Sequence, residues 1–244
     1  MHKTSKGYRR FQSRVKYFQE DLETAMVLFK NEGLLAGSAY IFENVSPNYQ
    51  PCLSKRQNSS SSRLLVLGHM KKTLYIAFIK ELYEEVMIYL SYAINCSALE
   101  LTDATRLIGA QNNLQFKITD ILDKSTKEEI FQMILDKVFR VIENKKDTLE
   151  MISTFNERLN LGVDEEIIDK SMPYLEMRHL FSHSDGVTDE YYRKKYPNIS
   201  VNAENQIILN SRVITQARSA ICALVLEYEN KLKLAHCFNE QEFA

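Results

Sequence analysis

Between Tyr8 and about Asn31 the apolar residues Phe11, Val15, Phe18, Leu22, Met26 and Phe29 recur every three or four positions. This period matches the turn of an α-helix and predicts an amphipathic helix that Gly33 ends. The pattern then breaks: residues 34–62 carry Pro47, Pro51 and the polar run Gln57-Asn-Ser-Ser-Ser-Ser62, the composition of a loop or flexible insertion. From Leu64 to Leu99 the chain is dense in Leu, Ile, Val, Tyr and Met, and Lys80, Glu81, Glu84 and Glu85 form only a narrow polar strip. A helix that is apolar around most of its circumference belongs at the centre of a bundle.

Shorter helices are predicted over Asp103–Gly109, Thr126–Ile142 and Lys146–Asn160, the last stopping near Gly162. Asp164 is placed to cap the next helix, in which Ile167, Ile168, Met172 and Leu175 share a face. Pro173 is a point where that helix could kink or restart, and Asp185-Gly186 reads as its stop. Val187–Pro197 reads as a short helix or turn, and Ile199–Leu209 as a candidate small β-hairpin. Val213, Ala217, Ile221, Leu224, Val225, Tyr228 and Leu232 then make the apolar stripe of a final helix. There is no internal repeat and no heptad run long enough for a coiled coil.

These elements describe an all-α fold, with a helical domain over 63–244 and an N-terminal helix plus loop over 1–62 packed on it. Only 7 glycines and 4 prolines occur in 244 residues, so turns are few and helices long. Hydrophobic residues at 45% and charged residues at 26% exclude a wholly disordered chain. The 31 basic residues nearly cancel 32 acidic ones, so a nucleic-acid contact must come from a local patch.

Cys52, Cys96, Cys222 and Cys237 lie far apart with no C-x-x-C pair, which reads as reduced thiols rather than a zinc or redox motif. The N-terminal Met-His-Lys-Thr-Ser-Lys-Gly lacks the apolar core of a signal peptide. The longest apolar run, Val86 to Leu99, is interrupted by Ser91, Asn95 and Ser97 and is too short to span a bilayer. The expectation is a cytoplasmic protein with no membrane partner.

Chemistry concentrates in Glu176-Met-Arg-His-Leu-Phe-Ser-His183. Of five histidines, His2, His69, His179, His183 and His236, two fall within five residues beside Arg178. Imidazole accepts and donates a proton near neutrality, and the planar guanidinium fork suits phosphate oxygens, so together they fit phosphodiester cleavage. On a straight helix Arg178 and His183 stand about 140° apart, which leaves a single chain under-equipped. A site completed by a second copy across a two-fold axis would resolve this.

Arg178-His-Leu-Phe-Ser-His183 resembles the signature of the HEPN superfamily, an Arg and a His separated by four to six residues with a polar residue often following the Arg. Here the gap is four and the polar residue is His179. The continuation Ser184-Asp-Gly-Val-Thr-Asp-Glu-Tyr-Tyr192 is similar to the Asn/Ser-x-Gly-x-x-Asp-x-x-Tyr run of several bacterial members. The resemblance covers about Asp164 to Pro197 and agrees in helix pattern from about Leu64 onward. It says little about residues 1–60.

The resemblance implies a bundle of four or five helices, a homodimer with a composite site, and metal-independent cleavage of RNA. In that reaction a ribose 2′-hydroxyl attacks the neighbouring phosphate and leaves a 2′,3′-cyclic end. It also implies a toxin or antiviral effector, with a cognate antitoxin or defence-system protein as a further partner, although some members bind nucleotides without nuclease activity. Carried over, His183 is the general acid or base, Arg178 holds the phosphate, and His179 orients the site or shares the proton. In one group of toxins a modifiable Tyr stands two residues after the His; this chain has Asp185 there, which speaks against regulation by that route.

Plainer readings exist for the same residues. Arg178 can be an ordinary surface cation and His183 a helix-terminal residue that meets the helix dipole. His179 and His183 are an i, i+4 pair that could bind a metal with Asp185 or Glu176, but the Glu of H-E-x-x-H and a third nearby His are missing, so neither metal nor cofactor is expected. Two basic clusters are candidates to guide RNA: Lys3, Lys6, Arg9, Arg10, Arg14 and Lys16, and Arg193, Lys194 and Lys195. The second interleaves with Tyr191, Tyr192 and Tyr196, whose rings are candidates to stack on unpaired bases, although such runs are often only solvated faces.

Overall fold

A computed structural model describes residues 3–30, 46–56, 59–100, 114–145 and 147–243. Eight α-helices account for most of these: α1 (Lys6–Lys30), α2 (Ser60–Glu100), α3 (Ile118–Leu122), α4 (Lys127–Glu143), α5 (Thr148–Leu159), α6 (Glu165–His183), α7 (Glu190–Lys195) and α8 (Ser211–Leu234). Short 3-10 turns cover Leu53–Lys55 and Glu240–Phe243. The helix expected over Asp103–Gly109 lies outside the described residues.

The 41 residues of α2 make a rod about 60 Å long at the usual helical rise. It is the axis of the bundle and packs against α1, α4, α6 and α8. Phe78, Ile79, Leu82, Val86, Tyr89, Leu90, Ala93 and Ile94 are fully buried along it, as its near-continuous apolar pattern requires. Its start lies earlier than the serine-rich composition suggests, because Ser59 acts as the cap: its hydroxyl accepts from the Ser62 N–H at 3.2 Å. Ser60 to Ser62 are thus the first turn of α2 rather than loop.

Helix α1 lays Tyr8, Phe11, Val15 and Leu22 into the same core as α2 and α8. Its entry is held by a buried carboxylate. Glu229 of α8 accepts from the Ser5 N–H and hydroxyl, both at 2.7 Å, and from the Tyr89 hydroxyl at 2.9 Å. Beside it, Glu85 of α2 is buried against Arg10 and Arg14 of α1 at 3.2 and 3.3 Å. Arg9 donates to the Thr4 carbonyl and Lys16 pairs with Glu20, so four members of the N-terminal basic cluster have partners within the fold.

Side-chain caps start the later helices. Thr126, Asp147, Asp164, Asp189 and Asn210 each accept from a backbone N–H in the first turn that follows. Helix α6 passes through Pro173 as one element. The stop after His183 is a left-handed turn: Asp185 has φ 49°, Gly186 has φ 79°, and the Gly186 N–H donates back to the Leu180 carbonyl. A Cβ on Gly186 would stand 2.5 Å from the Phe181 ring. Both conformation and space therefore demand glycine there.

The candidate hairpin over 199–209 is reduced to single bridges, Val201 with Ile207 and Val187 with Gln206, and no strand occurs among the described residues. The turn is tied to the end of α6 as well as to itself. Ile207 donates to the Gly186 carbonyl, and Thr188 donates to that of Asn205. Anchoring by a third segment replaces the ladder that a free hairpin would need. Among the described residues no helix is long and apolar enough to cross a membrane.

Candidate functional site

Helix α6 carries Arg178, His179 and His183 on its last two turns. Its buried side, Ile168, Met172, Leu175, Met177 and Phe181, packs on α2, α5 and α8 and fixes which residues face outward. Arg178 turns toward α2. Its guanidinium lies 4.9 Å from the centre of the Tyr83 ring and 3.3 Å from the Glu84 carboxylate. A stacked and paired guanidinium is held in one plane, ready for a flat or tetrahedral anion.

His179 and His183 are exposed one turn apart, with ring centres 4.6 Å from each other. Neither ring makes an ion pair or hydrogen bond among the described residues. Arg178 and His179 line one cleft of about 280 Å³ together with Tyr83, Glu143, Asp189 and Tyr191. His183 stands outside that lining, one turn further along, in contact with it through His179. The structure thus brings Arg178 and His179 together directly and His183 by way of the imidazole pair.

The segment after the motif is strapped to α6 by Glu176, which accepts from Lys195 at 2.9 Å and from the Tyr196 hydroxyl at 2.8 Å. Burial opposes the charge on Lys195, but the Glu176 carboxylate outweighs it and the ammonium pKa is raised. Burial together with the same carboxylate pushes the Tyr196 hydroxyl far above the ordinary phenol range. Arg193 is folded back onto Thr188, donating to its carbonyl at 2.6 Å, and Lys194 pairs with Glu190 at 2.7 Å. The three cations proposed from sequence to grip RNA are therefore all engaged within the chain.

The two adjacent tyrosines have opposite fates. Tyr191 is 64% exposed and lines the cleft, whereas Tyr192 is 4% exposed and donates its hydroxyl to the Pro173 carbonyl at 2.9 Å. Burial removes Tyr192 from the rings open to a base and makes it a peg between α7 and α6. Its hydroxyl pKa is raised, chiefly by that burial.

Sequence reading missed the contribution of α2 and of the turn between α4 and α5. Tyr83 and Glu84 meet Arg178 from far away in sequence, Glu84 across 94 residues. Burial raises the Tyr83 hydroxyl pKa; Arg178 opposes that shift, and Glu84 and Glu143 add to it, so all four groups share one electrostatic neighbourhood. The one available signal was the narrow polar strip holding Glu84 on an otherwise apolar helix. Among the described residues no three His, Cys, Asp or Glu side chains converge into a metal-holding group. No family model, no curated protein and no solved structure matches this chain.

Proposed function

We propose that the chain is a metal-independent endoribonuclease of the HEPN type, working as a homodimer. The observation that carries this reading is the contact between the exposed His179 and His183 rings on the same helix end as an Arg178 that lines a cleft. Two imidazoles and a guanidinium on the last two turns of one helix are the kinds of group that transesterification requires. One neutral imidazole takes the proton from a ribose 2′-hydroxyl as its oxygen bonds to phosphorus. The bond to the 5′-oxygen breaks, and that oxygen receives a proton from an imidazolium. The products are a 2′,3′-cyclic phosphate and a 5′-hydroxyl, while Arg178 balances the charge that builds on the phosphate oxygens. A second copy of α6 across a two-fold axis would double this set.

Cleavage of labelled single-stranded RNA by the purified chain tests the reading. His183→Ala is expected to slow it by roughly 10²-fold or more, and a chelator to leave it unchanged. Undiminished cleavage by His183→Ala would refute the assignment. For the composite site, mixing Arg178→Ala with His183→Ala chains is expected to restore part of the activity that each lacks alone.

One observation favours a second reading, a nuclease-silent module that binds a nucleotide or a partner protein. Arg178 is already matched by the Glu84 carboxylate. Under that reading the wild-type chain binds a nucleotide and leaves RNA intact.

A further inference from the structure

The cleft beside Arg178 is lined by aromatic rings and by carboxylates. Its volume of about 280 Å³ falls near the small end of ligand sites. It suits a single nucleotide rather than a run of them. Its rings are the exposed Tyr191, over which the Lys195 ammonium lies at 5.5 Å from the ring centre, and Tyr83, which Arg178 covers. The rest of the lining includes four carboxylates, Glu143, Asp147, Glu176 and Asp189, of which Glu176 is already engaged by Lys195 and Tyr196, and the Lys145 ammonium, which is paired with Glu150.

Two of these are fixed by helix caps. Asp147 accepts from the Leu149 N–H at 2.6 Å and Asp189 from the Tyr192 N–H at 2.7 Å, each through a single oxygen. Glu143, at the end of α4, is exposed and makes no ion pair among the described residues. It lies close enough to Tyr83 to act on its hydroxyl.

Proteins read an unpaired base by stacking on its face and hydrogen bonding to its Watson–Crick edge. An ionised carboxylate only accepts, and its two oxygens match two parallel donors. Guanine presents such a pair, N1–H beside the exocyclic N2 amino group. Adenine and cytosine each set one amino group beside a ring nitrogen acceptor, and uracil sets its N3–H between two carbonyls. Those acceptors would face the carboxylate and repel it.

We infer that this cleft is a guanine subsite, in which Tyr191 stacks on the base and the Glu143 carboxylate accepts from N1–H and the N2 amino group. The guanosine phosphate then reaches Arg178, so in naming RNA as the natural source of that base the inference rests on the ribonuclease reading. The binding chemistry itself does not require cleavage.

The test is calorimetric titration of the full chain with guanosine, adenosine, cytidine and uridine 3′-monophosphates. Guanosine monophosphate is expected to bind roughly ten-fold tighter than the other three, within the discrimination of one bidentate base contact. Glu143→Gln should erase the preference, weakening guanosine monophosphate and leaving the other three no weaker, because the neutral amide no longer repels their acceptors. Tyr191→Ala should weaken all four together, because stacking is indifferent to base identity. Both residues are exposed, and circular dichroism verifies that each variant keeps its helices. Equal affinity for the four nucleotides, a guanine preference that survives Glu143→Gln, or no binding of any nucleotide overturns the subsite. A guanine preference in a chain that never cleaves RNA upholds it and removes the nuclease; cleavage without any base preference does the reverse.

Discussion

The Glu84 carboxylate lies 3.3 Å from the Arg178 guanidinium and joins the central helix to the motif helix across 94 residues of sequence. Both side chains are partly exposed, at 51% and 36%. An ion pair this wet is worth about 0–1 kcal/mol, so it does little for folding. Its effect is on what Arg178 can hold, because an incoming phosphate competes with the carboxylate for the same donors.

Glu84→Gln should therefore tighten binding of a short single-stranded RNA by roughly two- to five-fold, the equivalent of losing an exposed pair. Fluorescence anisotropy at fixed salt measures this. Weaker binding would show instead that Glu84 serves to aim the guanidinium.

Replacing Gly186 by alanine forces a Cβ toward Phe181 and a side chain into φ 79°. The expected cost is about 1–3 kcal/mol, read as a lower midpoint in urea unfolding. Gly68 supplies the opposite control, since it lies in α2 with nothing within 4 Å of an added Cβ. Gly68→Ala should raise stability by about 0.5–1 kcal/mol.

Tyr89→Phe removes one donor from the buried Glu229 carboxylate and leaves the two bonds from Ser5 and the Lys233 ion pair at 3.0 Å. A loss of about 1–3 kcal/mol in unfolding free energy is expected for an acceptor left short of a partner. A variant as stable as the wild type would mean that Glu229 regains its bond elsewhere.

The buried Cys96 thiol has its pKa pushed up from 9.0 to about 11, mainly by burial, with the Tyr92 hydroxyl opposing. The folded state then binds more protons than the unfolded one between these values. Its contribution to stability is complete below pH 9 and is lost as pH rises toward 11. Alkylation by iodoacetamide near pH 8, followed by mass spectrometry, should mark the exposed Cys52 and spare Cys96 until the chain unfolds.

Helices α1, α2, α6 and α8 were legible in the sequence because each buries a long apolar stripe whose period survives single polar interruptions. The five-residue α3 has no buried residue, so no apolar stripe could reveal it. Within the site, Arg178, His179 and His183 were legible because one helix sets their spacing. Tyr83, Glu84 and Glu143 were not, since their nearness to Arg178 comes from packing between elements distant in sequence. Tyr192 shows the converse limit: an aromatic among charged neighbours reads as a surface ring until the Pro173 carbonyl is seen to receive its hydroxyl.

Glu84 and Glu85 are consecutive, yet one meets Arg178 of α6 and the other Arg10 and Arg14 of α1. Neighbours on a helix point about 100° apart, so the register set by the buried core of α2 presents one carboxylate to α6 and the other to α1. Cutting away α1 would remove both partners of Glu85 and uncover the apolar face of α2 on which Phe11, Val15 and Leu22 pack. Losing the Arg178 pair would leave that packing in place, so of two adjacent carboxylates one belongs to the fold and the other to the site.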